Sequence, residues 1–264
     1  MGKIHLGCSG WDYQDWADVF YKNTDESKLK AYSHIFNTAE INSTFYNYPS
    51  AGIVFGWAKH TPQDFIFAVK LNRLITHEKM LDISKGVDED VRRFCELMKP
   101  LQETEKLACI LIQLPPGMKF KKDRIEAFLR ILPLDMRFAL EYRNETWLTN
   151  EAHDLLSHYN VAAVTVDEPL FPPEIRLTLD LSEHVRALLN ILMILITLKL
   201  SDLSVLRCKY HFFNGSLSVS SVSILLNNRL RLDSKLYSSV IFLIPLHKVR
   251  QAINILIEAP GGLL

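Results

Sequence analysis

Along the first two thirds of the chain, short apolar runs alternate with stretches whose apolar residues recur every three to four positions. The short runs predict strands at Lys3–Cys8, Phe36–Asn42, Phe65–Asn72, Ala108–Leu114, the start of Arg137–Trp147, and Val161–Asp167. Helices are predicted between them. The first begins near Thr24 and carries Leu29, Tyr32 and Ile35. The next is capped by Ser50, carries Val54, Trp57 and Ala58, and stops near Thr61-Pro62. Further helices follow at Asp88–Leu101, from Asp123, and at Thr149–Tyr159. Strand–helix repeats with short connections imply parallel strands joined by right-handed crossovers. Six such units, continued to eight, give an α/β fold of the TIM (β/α)8 type in a single domain over 1–264. The alternative is an open doubly wound sheet, which would carry a Gly-rich turn after its first strand.

The run RFALEYRNETW at Arg137–Trp147 shows how the strands end. Phe138, Leu140 and Tyr142 share one face, and Ala139, Glu141 and Arg143 share the other. A carboxylate and a guanidinium at the end of a strand covered on both faces are costly unless paired or used. The same change recurs. Glu40 and Asn42 end the second inward stripe, Lys70 and Asn72 the third, Gln113 the fourth and Asp167 the sixth. In a TIM barrel these positions meet at the C-terminal rim, where active sites lie.

Glu40 and Glu141 are the acid/base candidates, because two environments could push their pKa values apart. Lys70 would hold one of them ionised or bind an anion, and a Schiff base is the less common role for a lone barrel lysine. Arg143 suits a carboxylate or phosphate, and Asn42, Asn72 and Gln113 suit orienting hydrogen bonds. Trp11 and Tyr46 would supply an aromatic wall. A metal would need Glu40, His77, Glu141 and Asp167 to converge; no HxH or HxxE pair supports that, so neither metal nor cofactor is expected. Ser9 lacks a GxSxG context, which argues against a serine hydrolase.

Composition narrows the class. Hydrophobic residues make up 48% and charged residues 23%, enough for a core and against disorder. Net charge is zero, with no basic stripe for nucleic acid. The four cysteines form no CxxC pattern, and the N-terminus lacks a signal-peptide core, so a reduced cytoplasmic protein is expected. The apolar run Leu188–Leu198 is too short to span a bilayer. The expected partner is a small molecule.

The assembled stretches resemble the YecE-like family of TIM barrels, a domain of unknown function. They are GCSGWDYQDW at 7–16, FNTAEINSTFYNYP at 36–49, FIFAVKLNRLITH at 65–77, LIQLPP at 111–116 and LEYRNETW at 140–147, with VTVDEP at 164–169 fitting more loosely. The resemblance implies the barrel fold and carries no reaction. It fades after Thr178, where an RLHG-like seventh strand and an FNN-bearing eighth would be expected. Residues 180–250 read as a shifted frame, or else as a divergent closure, expected to close the barrel poorly. Ser204–Phe213 and Ser216–Leu226 would pair there as an antiparallel hairpin around Asn214-Gly215. Two functions remain open: acid/base catalysis on a small polar or anionic substrate, or a non-catalytic binding or scaffold barrel or an inactive copy with a damaged C-terminus.

Overall fold

The computed structural model describes residues 3–13, 16, 21, 26–166, 191–195 and 239–244. Its strands are β1 (Lys3–Ser9), β2 (Thr38–Ile41), β3 (Ile66–Lys70), β4 (Leu107–Gln113), β5 (Phe138–Glu141), β6 (Ala162–Ala163), β7 (Thr165–Val166), β8 (Ile191–Leu195) and β9 (Ser239–Ile244). The helices are α1 (Lys28–Ser33), α2 (Ser43–Tyr46), α3 (Ala51–Lys59), α4 (Val87–Glu103), α5 (Lys122–Leu129) and α6 (Asn150–His158). The architecture is α/β, with six consecutive parallel strand units alternating with helices.

Sequence chemistry sets the helix starts. The Ser50 and Thr149 hydroxyls accept from Ile53 N–H and Ala152 N–H, satisfying donors that the first turn leaves open. Ser27 does the same for α1, and the cap expected at Thr24 lies outside the described residues. Asp88, Glu89 and Asp90 fill the first turn of α4, where negative charge meets the positive end of the helix dipole.

The sheet separates two apolar layers. Phe67, Val69, Ile110, Ile112 and Leu140 are buried in one cluster with helix residues such as Phe94, Met98 and Phe128. Ala68, Cys109, Leu111, Ala139, Ala162 and Val164 form the second, inner cluster. Bulky branched side chains usually fill such an interior, whereas here alanines and a cysteine leave room above them for polar groups.

Strand order in the sheet is β6-β5-β4-β3-β2-β1-β9-β8-β7. Its two ends belong to one segment. Ala162 and Ala163 pair with β5, and Thr165 and Val166 pair with β8. Val164 lies between them and donates its N–H to Leu140 C=O at 3.0 Å. The sequence predicts one continuous strand at Val161–Asp167; the structure divides it because it changes hydrogen-bonding neighbour halfway.

β8 and β9 pair with each other in parallel, and β9 pairs with β1. The sequence reading expected an antiparallel hairpin in place of parallel staves in this region. ILMIL and SVIFLI are all-apolar or nearly so, a composition typical of parallel strands. The hairpin segments 204–213 and 216–226 lie outside the described residues. No described helix is long and apolar enough to cross a membrane.

Two backbone details fix the site's first strand. Tyr32, fully buried, accepts a hydrogen bond from Cys8 N–H (2.7 Å) and donates to Thr38 C=O (2.9 Å), so its hydroxyl joins β1 to β2. Gly10 then turns the chain with φ +96°, a left-handed value that favours glycine.

Candidate functional site

Five strands deliver polar side chains at their carboxyl ends: Ser9, Glu40, Lys70, Gln113 and Glu141. In register, Ser9 pairs with Glu40 across β1–β2, and Gln113 with Glu141 across β4–β5. Each of these pairs is also hydrogen-bonded through its side chains. Ser9 Oγ donates to Glu40 Oε1 at 2.8 Å, and Gln113 Nε2 donates to Glu141 Oε1 at 2.7 Å.

The two carboxylates have different surroundings. Glu40 is 3% exposed; Ser9 and Asn42 both hydrogen-bond to it, and Asn42 Nδ2 also donates to Ser9 Oγ at 2.6 Å. Burial raises the Glu40 carboxyl above its ordinary range, and the Glu141 charge adds to this. Lys70 and the Ser9 and Asn42 hydrogen bonds pull the other way without overcoming it. Glu141 is 0% exposed, and its Oε1 also accepts from Arg143 Nε at 2.9 Å. Its other oxygen, Oε2, is buried with no hydrogen-bond partner among the described residues. A buried carboxylate oxygen left without a donor loses hydration that nothing replaces.

Lys70 ends β3 with its ammonium 4.7 Å from the centroid of the Phe45 ring. Burial lowers its pKa, and Glu40 and Glu141 oppose the shift while Arg143 assists it. Neither carboxylate is within ion-pair distance of Lys70 among the described residues. Phe45 sits on α2, a helical turn directly after β2. His77 lies on a π-helical turn at Leu74–Glu78, edge-on to Phe45 at 5.0 Å. Its pKa is lowered by burial, then by Lys70, Arg73 and Arg143. Met80 and Leu81 follow with φ of 55° and 58°, left-handed values unusual for such side chains.

Several motif residues bind rim loops together. Thr44 Oγ1 donates to Lys70 C=O, and Asn72 Nδ2 donates to Thr44 C=O. The Asn72 carbonyl oxygen accepts from Leu74 N–H, so this predicted ligand donor is already committed to backbone. Beyond Arg143, Asn144 donates to Pro116 C=O, Thr146 Oγ1 accepts from Phe120 N–H, and Trp147 Nε1 donates to Met118 C=O. The NETW run thereby ties the β5 loop to the β4 loop and fixes the base of Arg143.

Trp11 packs in the helix-facing layer against Trp57 and Phe67, with centroids 6.5 Å and 6.0 Å away. Tyr46 is 65% exposed and edge-on to Phe45. Asp167 lies outside the described residues. Ser9 and Phe45 were missed as contributors. For Ser9 the available signal was its place two residues after Gly7 on the inward stripe of β1; for Phe45 it was the turn directly after Asn42. No group of three or more His, Cys, Asp or Glu among the described residues is arranged to hold a metal ion.

The Glu40 surroundings give a stability prediction. A carboxyl whose folded pKa is raised binds more protons folded than unfolded, so its contribution is present at low pH and is lost as pH rises through the folded value. The window opens near the ordinary value of 4.5 and extends upward from it. Denaturant unfolding of wild type and Glu40→Gln across pH 4–8 is expected to show wild type losing stability relative to the variant through that window. A pH-independent difference would mean that Glu40 titrates alike in both states.

A family model described as "Protein of unknown function DUF72" matches residues 5–190. The UPF0759 protein YunF of Bacillus subtilis (strain 168) is 32% identical over 151 residues, covering 55% of this chain and 52% of YunF. The UPF0759 protein YecE of Escherichia coli (strain K12) is 28% identical over 142 residues, covering 53% and 48%. The chain thus spans about half the length of these curated relatives, and the YecE-like resemblance is borne out. Among solved structures, a DUF72 family protein (TM1631) from Thermotoga maritima MSB8 superposes with TM-score 0.69 at 23% identity, covering 96% and 97% of the two chains. Another (EF0366), from Enterococcus faecalis V583, gives 0.67 at 18%, covering 96% of each. These likenesses show a TIM-barrel-like fold.

Proposed function

This chain belongs to the DUF72 family, and we propose that it is an enzyme using general acid/base chemistry on a small polar or anionic substrate bound at the carboxyl ends of its strands. One observation carries the reading: two buried carboxylates, on β2 and β5, sit in contrasting surroundings around a shared mouth. Glu40 holds its proton more tightly than an ordinary carboxyl and serves as the acid. Glu141 is oriented through Oε1 by Gln113 and Arg143, which leaves Oε2 to accept a proton or hydrogen bond from substrate. Arg143 draws an anionic group into the mouth, and Lys70 takes a catalytic part beside the two carboxylates. Asn42 sets Ser9, and Ser9 sets Glu40. Tyr46 is retained as an exposed wall beside Phe45, whereas Trp11 and Asn72 are engaged elsewhere and take no part.

The second reading is a non-catalytic barrel whose rim charges cap the core. The Gln113–Glu141–Arg143 hydrogen bonds favour it, since a structural cap would be built the same way. The lone Oε2 and a Lys70 ammonium without an ion pair among the described residues favour the enzyme.

A thermal-shift screen of sugars, sugar acids, carboxylates and phosphate monoesters tests the proposal. At least one anionic compound is expected to raise Tm, with affinity lost by roughly tenfold or more in Arg143→Lys, which cannot reproduce a planar two-pronged contact. No response from any class, with Arg143→Lys merely less stable, would return the capping reading.

A further inference from the structure

Resting on that reading of the rim, we infer that Lys70 is an amine nucleophile that forms an imine with an aldehyde or ketone substrate bearing an anionic group. The argument starts from what surrounds the amine. Lys70 ends a central strand, and its backbone is pinned by Thr44 donating to its carbonyl at 2.7 Å. Its Nζ approaches one ring face, that of Phe45, and makes no hydrogen bond or ion pair among the described residues. Lys106, which is buried, is a useful contrast to the partly buried Lys70. Lys106 Nζ donates to Ala58 C=O, Thr61 C=O and Thr61 Oγ1 at 2.6, 2.7 and 3.2 Å, so its hydrogens are all taken up, although burial lowers its pKa as well. A structural lysine is saturated in this way, whereas Lys70 is not.

The groups around Lys70 match the needs of the reaction. Burial biases it toward the neutral amine, the form that attacks a carbonyl. Glu40, one strand away, has its carboxyl raised by burial, which favours its acid form as the proton donor. Arg143 faces the same mouth and would hold the anionic substituent. The loop after β3 carries a π-helical turn and two consecutive left-handed residues, irregularities that concentrate at functional sites.

The step balances without a co-reactant. The neutral amine adds to the carbonyl carbon, and the carbonyl π electrons move to oxygen, which takes the Glu40 proton. The nitrogen of the adduct loses one proton, giving a neutral carbinolamine and returning Glu40 to its acid form through solvent. Glu40 then protonates the departing hydroxyl, which leaves as water while the nitrogen lone pair forms C=N. Starting from the ammonium form, the sum is ammonium plus carbonyl giving iminium plus water.

Two measurements on the full chain test this. The first is trace acetylation with acetic anhydride across pH 6–11, with each lysine read by peptide mass spectrometry. Lys70 is expected to titrate below the exposed lysines; each unit of displacement means about tenfold more neutral amine at pH 7. The second is reductive trapping by cyanoborohydride with pyruvate or dihydroxyacetone phosphate, two carbonyl compounds carrying anionic groups. A saturable adduct at Lys70 is expected, absent in Lys70→Arg and reduced in Arg143→Lys. A Lys70 that titrates with the exposed lysines overturns the inference, whatever is trapped. Adducts spread over surface lysines, with none concentrated at Lys70, overturn it as well. If either occurs while an anionic ligand still raises Tm and Arg143→Lys still weakens it, the acid/base reading survives and only the imine fails.

Discussion

Gly7→Ala is expected to leave the protein without a stable fold. A Cβ on Gly7 would stand 1.9 Å from Thr38 O, 2.6 Å from Thr38 C and 2.8 Å from Thr38 Cγ2. Two of those atoms are backbone, so no rotamer change relieves the clash. Neither can β1 move aside, because it is hydrogen-bonded to β2 on one edge and β9 on the other. Tyr32 further clamps Cys8 to Thr38 one residue away. Separating the strands enough to admit a methyl would break that bridge and displace Ser9 from Glu40. Overpacking in cores costs about 1–3 kcal/mol where side chains can yield, and a backbone collision at a strand pair exceeds that, against a typical total of roughly 5–15 kcal/mol. Circular dichroism and denaturant unfolding of the purified variant would check it. A cooperative transition within about 1 kcal/mol of wild type would show that the β1–β2 spacing adjusts.

Lys106→Met is expected to cost about 2–4 kcal/mol, the second largest effect among the changes considered. The Lys106 ammonium lies just before β4, buried, and its three contacts reach the C-terminal end of α3 and Thr61 beyond it. Those carbonyls are among the acceptors a helix leaves open at its end, and a cation there also meets the negative end of the dipole. Methionine keeps most of the side-chain volume, so the loss isolates the polar contacts from any cavity. Urea unfolding is expected to show a lower midpoint with unchanged slope. A midpoint unchanged within error would mean that water replaces the ammonium at no cost.

The fold was legible in the sequence wherever pattern and punctuation agreed. Phe67 and Val69 against Ala68 and Lys70, or Ile110 and Ile112 against Cys109 and Leu111, encode two faces, and the structure sorts them into two separate clusters. Ser50 and Thr149 marked helix starts because a hydroxyl before an apolar period has a defined task there. The strand-end placement of the candidate residues was legible for the same reason: a stripe that changes from apolar to polar identifies its strand end, hence Glu40, Lys70, Gln113 and Glu141. What such a stripe cannot encode is how each group is spent. Asn72 looks like a ligand donor by its stripe but serves Thr44 and Leu74, since a short turn brings backbone to it first. Trp11 follows the first strand like a lid, yet Trp57 and Phe67 offer a larger apolar seat on the helix side. Phe45 became visible only once Asn42 took helical angles and started a turn. β8 and β9 escaped because unbroken apolar runs have no period to read.

The pairing of β1 with both β2 and β9 also sets a timetable. One neighbour of β1 is made within moments of it; the other, at residues 239–244, emerges from the ribosome only after the strand–helix units through β7 have been synthesised. At typical elongation rates of about 5–20 residues per second, that interval lasts on the order of ten seconds or more. Throughout it, the free edge of β1 presents backbone donors and acceptors to any strand nearby, including the same edge on a second nascent chain. Helical units between β1 and β6 have local partners and can form as they appear, whereas joining β9 to β1 is the longest-range contact in the sheet and belongs to the slow end of folding. The nascent protein therefore carries one particular unpaired edge over one particular interval of its synthesis.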